Sequence, residues 1–102
     1  MIVIPAIDLK DGKCVRLKEG KMDEVTIFSD DPLQTSSIWF SQGAELLHIV
    51  DLDGAVVGKP INDEIILSIA KEFSDKKIQV GGGIRDYSSA AHYIENGISK
   101  VI

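Results

Sequence analysis

Four short apolar runs constrain the fold of this chain more than any other feature. IVIPAI precedes Asp8, LLHIV precedes Asp51, IQV precedes Gly81, and KVI stands at residues 100–102. Continuous apolar runs of this length are typical of strands covered on both faces, as in a parallel sheet. The sequence therefore predicts four strands of that kind.

Helices are predicted between these strands. The first follows Asp31 and Pro32, a capping residue and a proline at the first helical position, and stops at Gly43. The apolar stripe of this helix consists of Leu33, Ile38, Trp39 and Phe40. Trp39 and Phe40 are expected in the core.

Two more helices are predicted over residues 62–73 and 87–96, the latter closed by Gly97. Strands and helices then alternate, which indicates an α/β fold with right-handed crossovers. Residues 9–30 interrupt this order, although a βα connection usually has only ~2–6 residues. Two small strands at 14–17 and 25–28 favour a partly ordered, mobile flap there, and a solvated insertion is the alternative.

Composition excludes several classes of protein. One cysteine among 102 residues cannot form an internal disulfide, and neither a membrane span nor a signal peptide is visible, so we expect a cytoplasmic protein. Sixteen acidic residues against eleven basic ones argue against nucleic-acid binding, and no membrane partner is expected. Only Arg16 and Arg85 could hold an anion through a bidentate guanidinium.

The segment Gly81–Gly82–Gly83, followed by Arg85, is the most specific local motif. Consecutive glycines between a strand and a helix let several N–H groups converge on one point, which suits phosphate. Arg85 could add a charge-assisted hydrogen bond. A flexible turn without a ligand is the alternative interpretation.

Asp8 and Asp51 follow the first two strands, at the edge where catalytic side chains gather in parallel α/β proteins. A desolvated carboxylate there could exchange protons with a substrate. The alternatives are a capping or ion-paired role for either residue, with structure or substrate contact favoured for Asp51. Asp53 is expected to shape a turn with Gly54.

The remaining reactive side chains suggest less. His48 is interpreted as a core histidine, with ligand contact as the minor alternative, and His92 as a surface residue. Cys14 has no evident partner for nucleophilic catalysis. No metal site and no cofactor are expected.

The sequence ends inside a predicted strand, and four strands with three helices would leave two open sheet edges. A complete eight-stranded barrel needs ~250 residues. We therefore interpret residues 1–102 as the amino-terminal part of a longer protein.

Three motifs carry a resemblance over the whole chain: IPAIDLKDGKCVRL at 4–17, HIVDLDGA at 48–55 and QVGGGIR at 79–85. Together they resemble the phosphoribosylformimino-aminoimidazole carboxamide ribotide isomerases of histidine biosynthesis. The resemblance implies the first half of a (β/α)8 barrel, with about four strands and three helices. It also implies an Amadori rearrangement of an aminoaldose to an aminoketose on a bis-phosphorylated substrate.

The resemblance implies roles for individual residues. Asp8 matches the proton-accepting aspartate, whose proton-donating partner would lie beyond Ile102, so the chain alone should be inactive. Gly81, Gly82, Gly83 and Arg85 match one of two phosphate sites. Arg16 lies on the loop expected to close over substrate, and Asp51 is expected to contact substrate.

Three alternatives stay open. The cyclase subunit of imidazole glycerol phosphate synthase shares the half-barrel pattern, but Ala6–Ile7–Asp8–Leu9 and Arg16 favour the isomerase. A bifunctional isomerase that also acts on phosphoribosyl anthranilate is the second. A non-catalytic phosphate-binding half-barrel, closed by a second copy in place of the remaining half, is the third.

Overall fold

The computed structural model describes residues 4–18 and 21–102, which form one mixed sheet flanked by helices. Four of its strands are parallel, as predicted: β1 (Ala6–Lys10), β4 (Leu46–Asp51), β5 (Lys77–Gly81) and β6 (Lys100–Val101). The two predicted small strands are confirmed as β2 (Lys13–Lys18) and β3 (Lys21–Ser29), which pair antiparallel. The strand order is β3-β2-β1-β4-β5-β6.

Strand β1 extends further than its apolar run. The prediction ended it before Asp8, whereas the structure continues it through Asp8 to Lys10, and residues 2–3 of the predicted run lie outside the described residues. The extension arises because β2 pairs with β1, with Asp8 opposite Val15. Asp11 and Gly12 join the two strands in a turn with φ of 52° and 74°.

The three predicted helices are confirmed as α1 (Pro32–Ser41), α3 (Asp63–Glu72) and α4 (Tyr87–Glu95). Asp31 caps α1 by accepting a hydrogen bond from the Gln34 N–H at 3.0 Å, and Gly43 follows its end with a φ of 101°. A fourth helix, α2 (Leu52–Val57), was not predicted. It includes Asp53 and Gly54, so the expected turn at these residues is wrong.

The predicted apolar stripe of α1 is wrong in most positions. The helix buries Pro32, Thr35, Ser36 and Phe40, whereas Ile38 is 50% and Trp39 36% exposed. Burial of Ser36 is possible because its hydroxyl donates to the Pro32 carbonyl at 2.8 Å. The prediction that Phe40 lies in the core is confirmed, and its ring centroid is 5.0 Å from that of Phe73.

The parallel strands have two different faces. The covered face packs against the helices, and its residues are at most 1% exposed: Ile7, Leu9, Leu47, Ile49, Ile78 and Val80. The open face alternates with it and carries the half-buried residues Asp8, His48, Val50 and Gln79. In a (β/α)8 barrel the helices lie outside the sheet, so the open face corresponds to the barrel interior.

Candidate active site

Asp8 and the glycine turn lie at the same end of the sheet. Asp8 on β1 is the register partner of Val50 on β4, and Val50 is the partner of Gly81 on β5. Residues paired in this way share one face of a sheet, and adjacent strands are ~4.8 Å apart. The structure thus brings Asp8 and Gly81 to the same level, separated by a single strand.

The Asp8 carboxylate lies on the open face without a hydrogen-bond partner among residues 4–18 and 21–102, and its side chain is half-buried. Desolvation raises the pKa of Asp8 above its ordinary value, and the nearby His48 opposes this only in part. A carboxylate with a raised pKa and unused lone pairs is suited to accept a proton from a substrate.

His48 lies on the same open face as Asp8. Its register partner is Ala6, two residues before Asp8, and the Gln79 amide Nε2 lies 2.9 Å from its Nδ1. The tautomer of His48 decides which group donates in this contact, which fixes the orientation of the imidazole ring relative to Gln79. His48 is half-buried on this face and its Nδ1 has a partner in Gln79, so its interpretation as a core histidine, with ligand contact as the minor alternative, stays a prediction. His48 lies two residues before Val50 on β4, and residues spaced in this way share one face of a strand. This spacing was the sequence signal that His48 lies on the same face as Val50, the register partner of Asp8.

Asp51 differs from Asp8 in its sheet face, its burial and its hydrogen bonds. It belongs to the covered face, is 0% exposed and accepts four hydrogen bonds at 2.8–2.9 Å. The donors are the N–H groups of Gly54, Ile61 and Asn62 and the Asn62 side-chain amide. This saturated and inaccessible carboxylate favours the structural role of Asp51 over the predicted contact with substrate.

Backbone contacts account for two of the three glycines of the 81–83 turn, Gly82 and Gly83. Gly82 and Gly83 have φ of 101° and 81°, in the region that favours glycine. A Cβ on Gly82 would collide with the Asp51 carbonyl oxygen, and one on Gly83 would lie 2.7 Å from the Gly54 and Lys59 carbonyl oxygens. The turn is therefore seated tightly against the end of β4 and the residues around α2, which does not fit the alternative of a loose turn.

The two arginines lie in different surroundings. The exposed Arg85 side chain lies over Gly58, where an added Cβ would be 3.2 Å from the Arg85 Nη1. Arg16 is exposed on β2, with its guanidinium carbon 5.5 Å from the Phe28 ring centroid. Successive strand residues point to opposite faces, and Val15 shares a face with Asp8. The structure therefore does not bring Arg16 to the Asp8 face.

Other side chains add no ligand set. His92 is 52% exposed, as predicted, and its Nε2 is 4.0 Å from an Asp63 oxygen. Cys14 is buried, and burial raises the pKa of its thiol. Among residues 4–18 and 21–102, no three His, Cys, Asp or Glu side chains are grouped as metal ligands, and no helix could span a membrane.

Comparison with known proteins defines the class. The family model described as "Histidine biosynthesis protein" matches residues 2–102, so the chain belongs to this family, whose members are (β/α)8 barrels. The four parallel strands and their helices form part of such a barrel.

Individual relatives cover the whole chain. Proteins from Hahella chejuensis, Saccharophagus degradans and Stutzerimonas stutzeri are 55%, 53% and 52% identical to it over 102 residues. Each is named 1-(5-phosphoribosyl)-5-((5-phosphoribosylamino)methylideneamino)imidazole-4-carboxamide isomerase. The chain spans 41–42% of the length of these relatives.

Proposed function

We propose that this chain is the amino-terminal part of an aldose–ketose isomerase of histidine biosynthesis. The full-length protein would convert the phosphoribosylformimino aminoaldose to the corresponding aminoketose. The observation that carries this proposal is the shared level of Asp8 and Gly81 on one sheet edge. It is supported by relatives whose printed names specify an isomerase and a substrate with two phosphoribosyl groups.

Two groups of the full-length protein would each transfer one proton in the proposed reaction. An acid protonates the ribose ring oxygen, so that the ring C–O bond breaks and the amine nitrogen and C1′ form an iminium. Asp8 then removes the proton from C2′, and the electron pair of that C–H bond forms the enolamine. Tautomerisation of the enolamine gives the aminoketose. The raised pKa of Asp8 makes it a stronger base than an ordinary carboxylate.

The glycine turn and Arg85 are assigned to one phosphate. The turn precedes α4 by a few residues and is held rigidly by its backbone contacts, so it could present N–H groups to an anion without reorganisation. Arg85 is exposed beside it and could supply a charged hydrogen bond. We assign Arg16 and its hairpin to substrate closure, which would require the hairpin to change its position on binding.

The second acid and the second phosphate site are assigned to the remaining length of the protein. The chain spans less than half of its relatives, and several apolar side chains are exposed on it: Leu33, Ile38, Trp39 and Ile102. We propose that the remaining strands and helices cover part of this apolar surface and close the barrel. Residues 1–102 alone are then expected to show no turnover.

Turnover of the purified aminoaldose by the full-length protein tests the proposal. Formation of the aminoketose, followed by chromatography, is expected, and its absence at saturating substrate would refute the isomerase. Conversion of phosphoribosyl anthranilate in a parallel assay would identify the bifunctional alternative. Binding of inorganic phosphate without any conversion would favour the non-catalytic module.

Substitution of Arg85 tests the phosphate assignment. Arg85→Ala in the full-length protein should weaken phosphate binding by ~1.5–3 kcal/mol, the usual contribution of a charged hydrogen bond. Lys71→Ala, at an exposed position in the last turn of α3, is the control. Equal phosphate affinity of the two variants by calorimetry would contradict the role of Arg85.

A further inference from the structure

Asn62 lies at a junction of three chain segments. It is 7% exposed, and its side-chain amide Nδ2 donates to Asp51 Oδ1 at 2.8 Å and to Asp53 Oδ2 at 2.9 Å. Its Oδ1 accepts a hydrogen bond from the Gly12 N–H at 3.1 Å. A parallel contact joins the Asp11 N–H to the same Asp53 oxygen at 2.7 Å.

Only an amide side chain satisfies this arrangement. Two carboxylates need a donor from residue 62, and one backbone N–H needs an acceptor from it, which is the inventory of an asparagine. Asn62 also occupies the N-cap position of α3, where asparagine usually accepts a bond from its own helix. Its side chain makes no such cap here and is directed to the β1–β2 turn and the end of β4.

These contacts connect the two candidate halves of the site. Gly12 follows β1 closely after Asp8, so the β1–β2 turn is adjacent in the chain to the Asp8 end of that strand. Asp51 lies under the glycine turn, since its carbonyl oxygen is the nearest atom to a Cβ on Gly82. Asn62 therefore contacts both the segment that follows the candidate base and the segment that supports the candidate phosphate site.

We propose that Asn62, together with Asp53, is a positioning residue that latches the Asp11–Gly12 turn to the end of β4. This latch fixes the distance between Asp8 and the 81–83 turn. The inference rests on the proposed isomerase function for its kinetic consequence, whereas its structural part can be measured without substrate. A small displacement of a catalytic group is costly, because ~1 Å can reduce a rate about 100-fold.

Two variants of the full-length protein test the latch. Asn62→Ala removes all three side-chain contacts, whereas Asp53→Ala releases the Asp11 N–H and leaves Asp51 with its four donors. The second variant keeps the test valid if the first folds poorly. Asn96→Ala is the matched control, because Asn96 is exposed and, within the described residues, its side-chain amide donates only to the His92 carbonyl.

The expected result is a split between kcat and KM. Both latch variants should lower kcat by about 10- to 100-fold, with KM changed less than about threefold, because the glycine turn still holds the substrate. Amide hydrogen exchange should accelerate about tenfold at Gly12 in Asn62→Ala and at Asp11 in Asp53→Ala. A role in stability alone would lower the melting temperature and leave kcat of the folded enzyme unchanged.

Two outcomes would overturn the inference. One is unchanged exchange at Asp11 and Gly12 in both variants, which would mean that no latch exists, whatever reaction the protein catalyses. The other is accelerated exchange with wild-type kcat in an active enzyme, which would mean that the latch does not position Asp8. An inactive wild-type enzyme would refute the proposed function and, with it, the kinetic part of the inference, and the exchange measurement would still decide the latch.

Discussion

Asp8 and Asp51 are neighbours in the sheet and opposites in their chemistry. Asp51 is the register partner of Leu9, so the two carboxylates lie one residue apart along adjacent strands and on opposite faces. Asp51 is fully buried and holds four donors, whereas no hydrogen bond from the described residues reaches the Asp8 carboxylate. The same residue type is thus saturated by donors on the covered face and, among the described residues, has no donor on the open face.

This difference shows how to separate the two roles without a bound ligand. A carboxylate that is saturated by backbone donors stabilises the fold and has no lone pair left for a substrate. A desolvated carboxylate without donors costs stability, and such a residue is expected where function requires it. Four substitutions test this contrast.

The largest expected effect is that of Asp8→Asn on turnover. In the full-length protein kcat should fall by ~10²–10⁴-fold, the usual contribution of a general base, while substrate still binds. The folded state should become slightly more stable at neutral pH, by on the order of 0.5 kcal/mol. The reason is that the pKa of Asp8 is raised, so the folded state holds the proton more tightly and loses stability as the carboxyl ionises.

Steady-state kinetics and thermal unfolding measure the two effects of Asp8→Asn. Asp75→Asn, at an exposed position, is the control for the loss of one negative charge. Near-wild-type kcat would contradict the role of Asp8 as the general base. A loss of stability would contradict the conclusion that the Asp8 carboxylate receives no hydrogen bond from the described residues.

Asp51→Ala should act on stability instead. It leaves buried N–H groups without acceptors, at ~1–3 kcal/mol each, so we expect the free energy of unfolding to fall by ~3 kcal/mol or more. Urea unfolding of the variant and of Asp75→Ala measures the difference. A loss below ~1 kcal/mol would mean that the four hydrogen bonds contribute little to the fold.

Gly82→Ala tests whether the Asp51 backbone and the glycine turn support each other. Gly43 has the same φ of 101°, but a Cβ added there would meet no atom within 4 Å, so Gly43→Ala isolates the backbone contribution. We expect the free energy of unfolding to fall by ~1–2 kcal/mol in Gly43→Ala. It should fall clearly more in Gly82→Ala, because there the added Cβ also collides with the Asp51 carbonyl oxygen. Equal losses in urea unfolding would show that contact with Asp51 does not constrain the turn.

The smallest expected effect is the pH dependence of the Asp53 contact. Burial opposes ionisation of Asp53, but hydrogen bonds from Asp11 and Asn62 and the charge of Lys10 outweigh it and lower its pKa. A lowered pKa stabilises the fold above the ordinary value of ~3.9, and this contribution disappears as the pH falls through the lowered pKa. The stability difference between wild type and Asp53→Ala should therefore shrink below about pH 4. A stability difference between the two proteins that stays constant down to about pH 2 would contradict the lowered pKa of Asp53.

The sequence predicted the parts of the fold that depend on local pattern. The apolar runs located the four parallel strands, and Asp31, Pro32 and Gly43 marked both ends of α1. Helix α2 was missed because it has six residues and contains a glycine and two valines, which are poor helix formers. Its ends are set by the Asp51 side chain and by Gly58 in a left-handed conformation.

The site was predictable only where strand order was sufficient. Asp8 and the glycine turn were placed together because parallel strands bring their carboxyl ends to one edge. Asn62 was not identified, since its partners Gly12 and Asp53 reach it only through tertiary contacts. The separation of Arg16 from Asp8 likewise depends on the β1–β2 register.

The pairing of β2 with β1 limits how a barrel can be completed. β2 already occupies the outer side of β1 from Asp8 to Lys10. A further strand that joins β1 on that side must therefore stop before it reaches Asp8. The sheet of a completed barrel would then have a gap beside the candidate base. The β2–β3 hairpin would form one side of this gap, through which a substrate could enter.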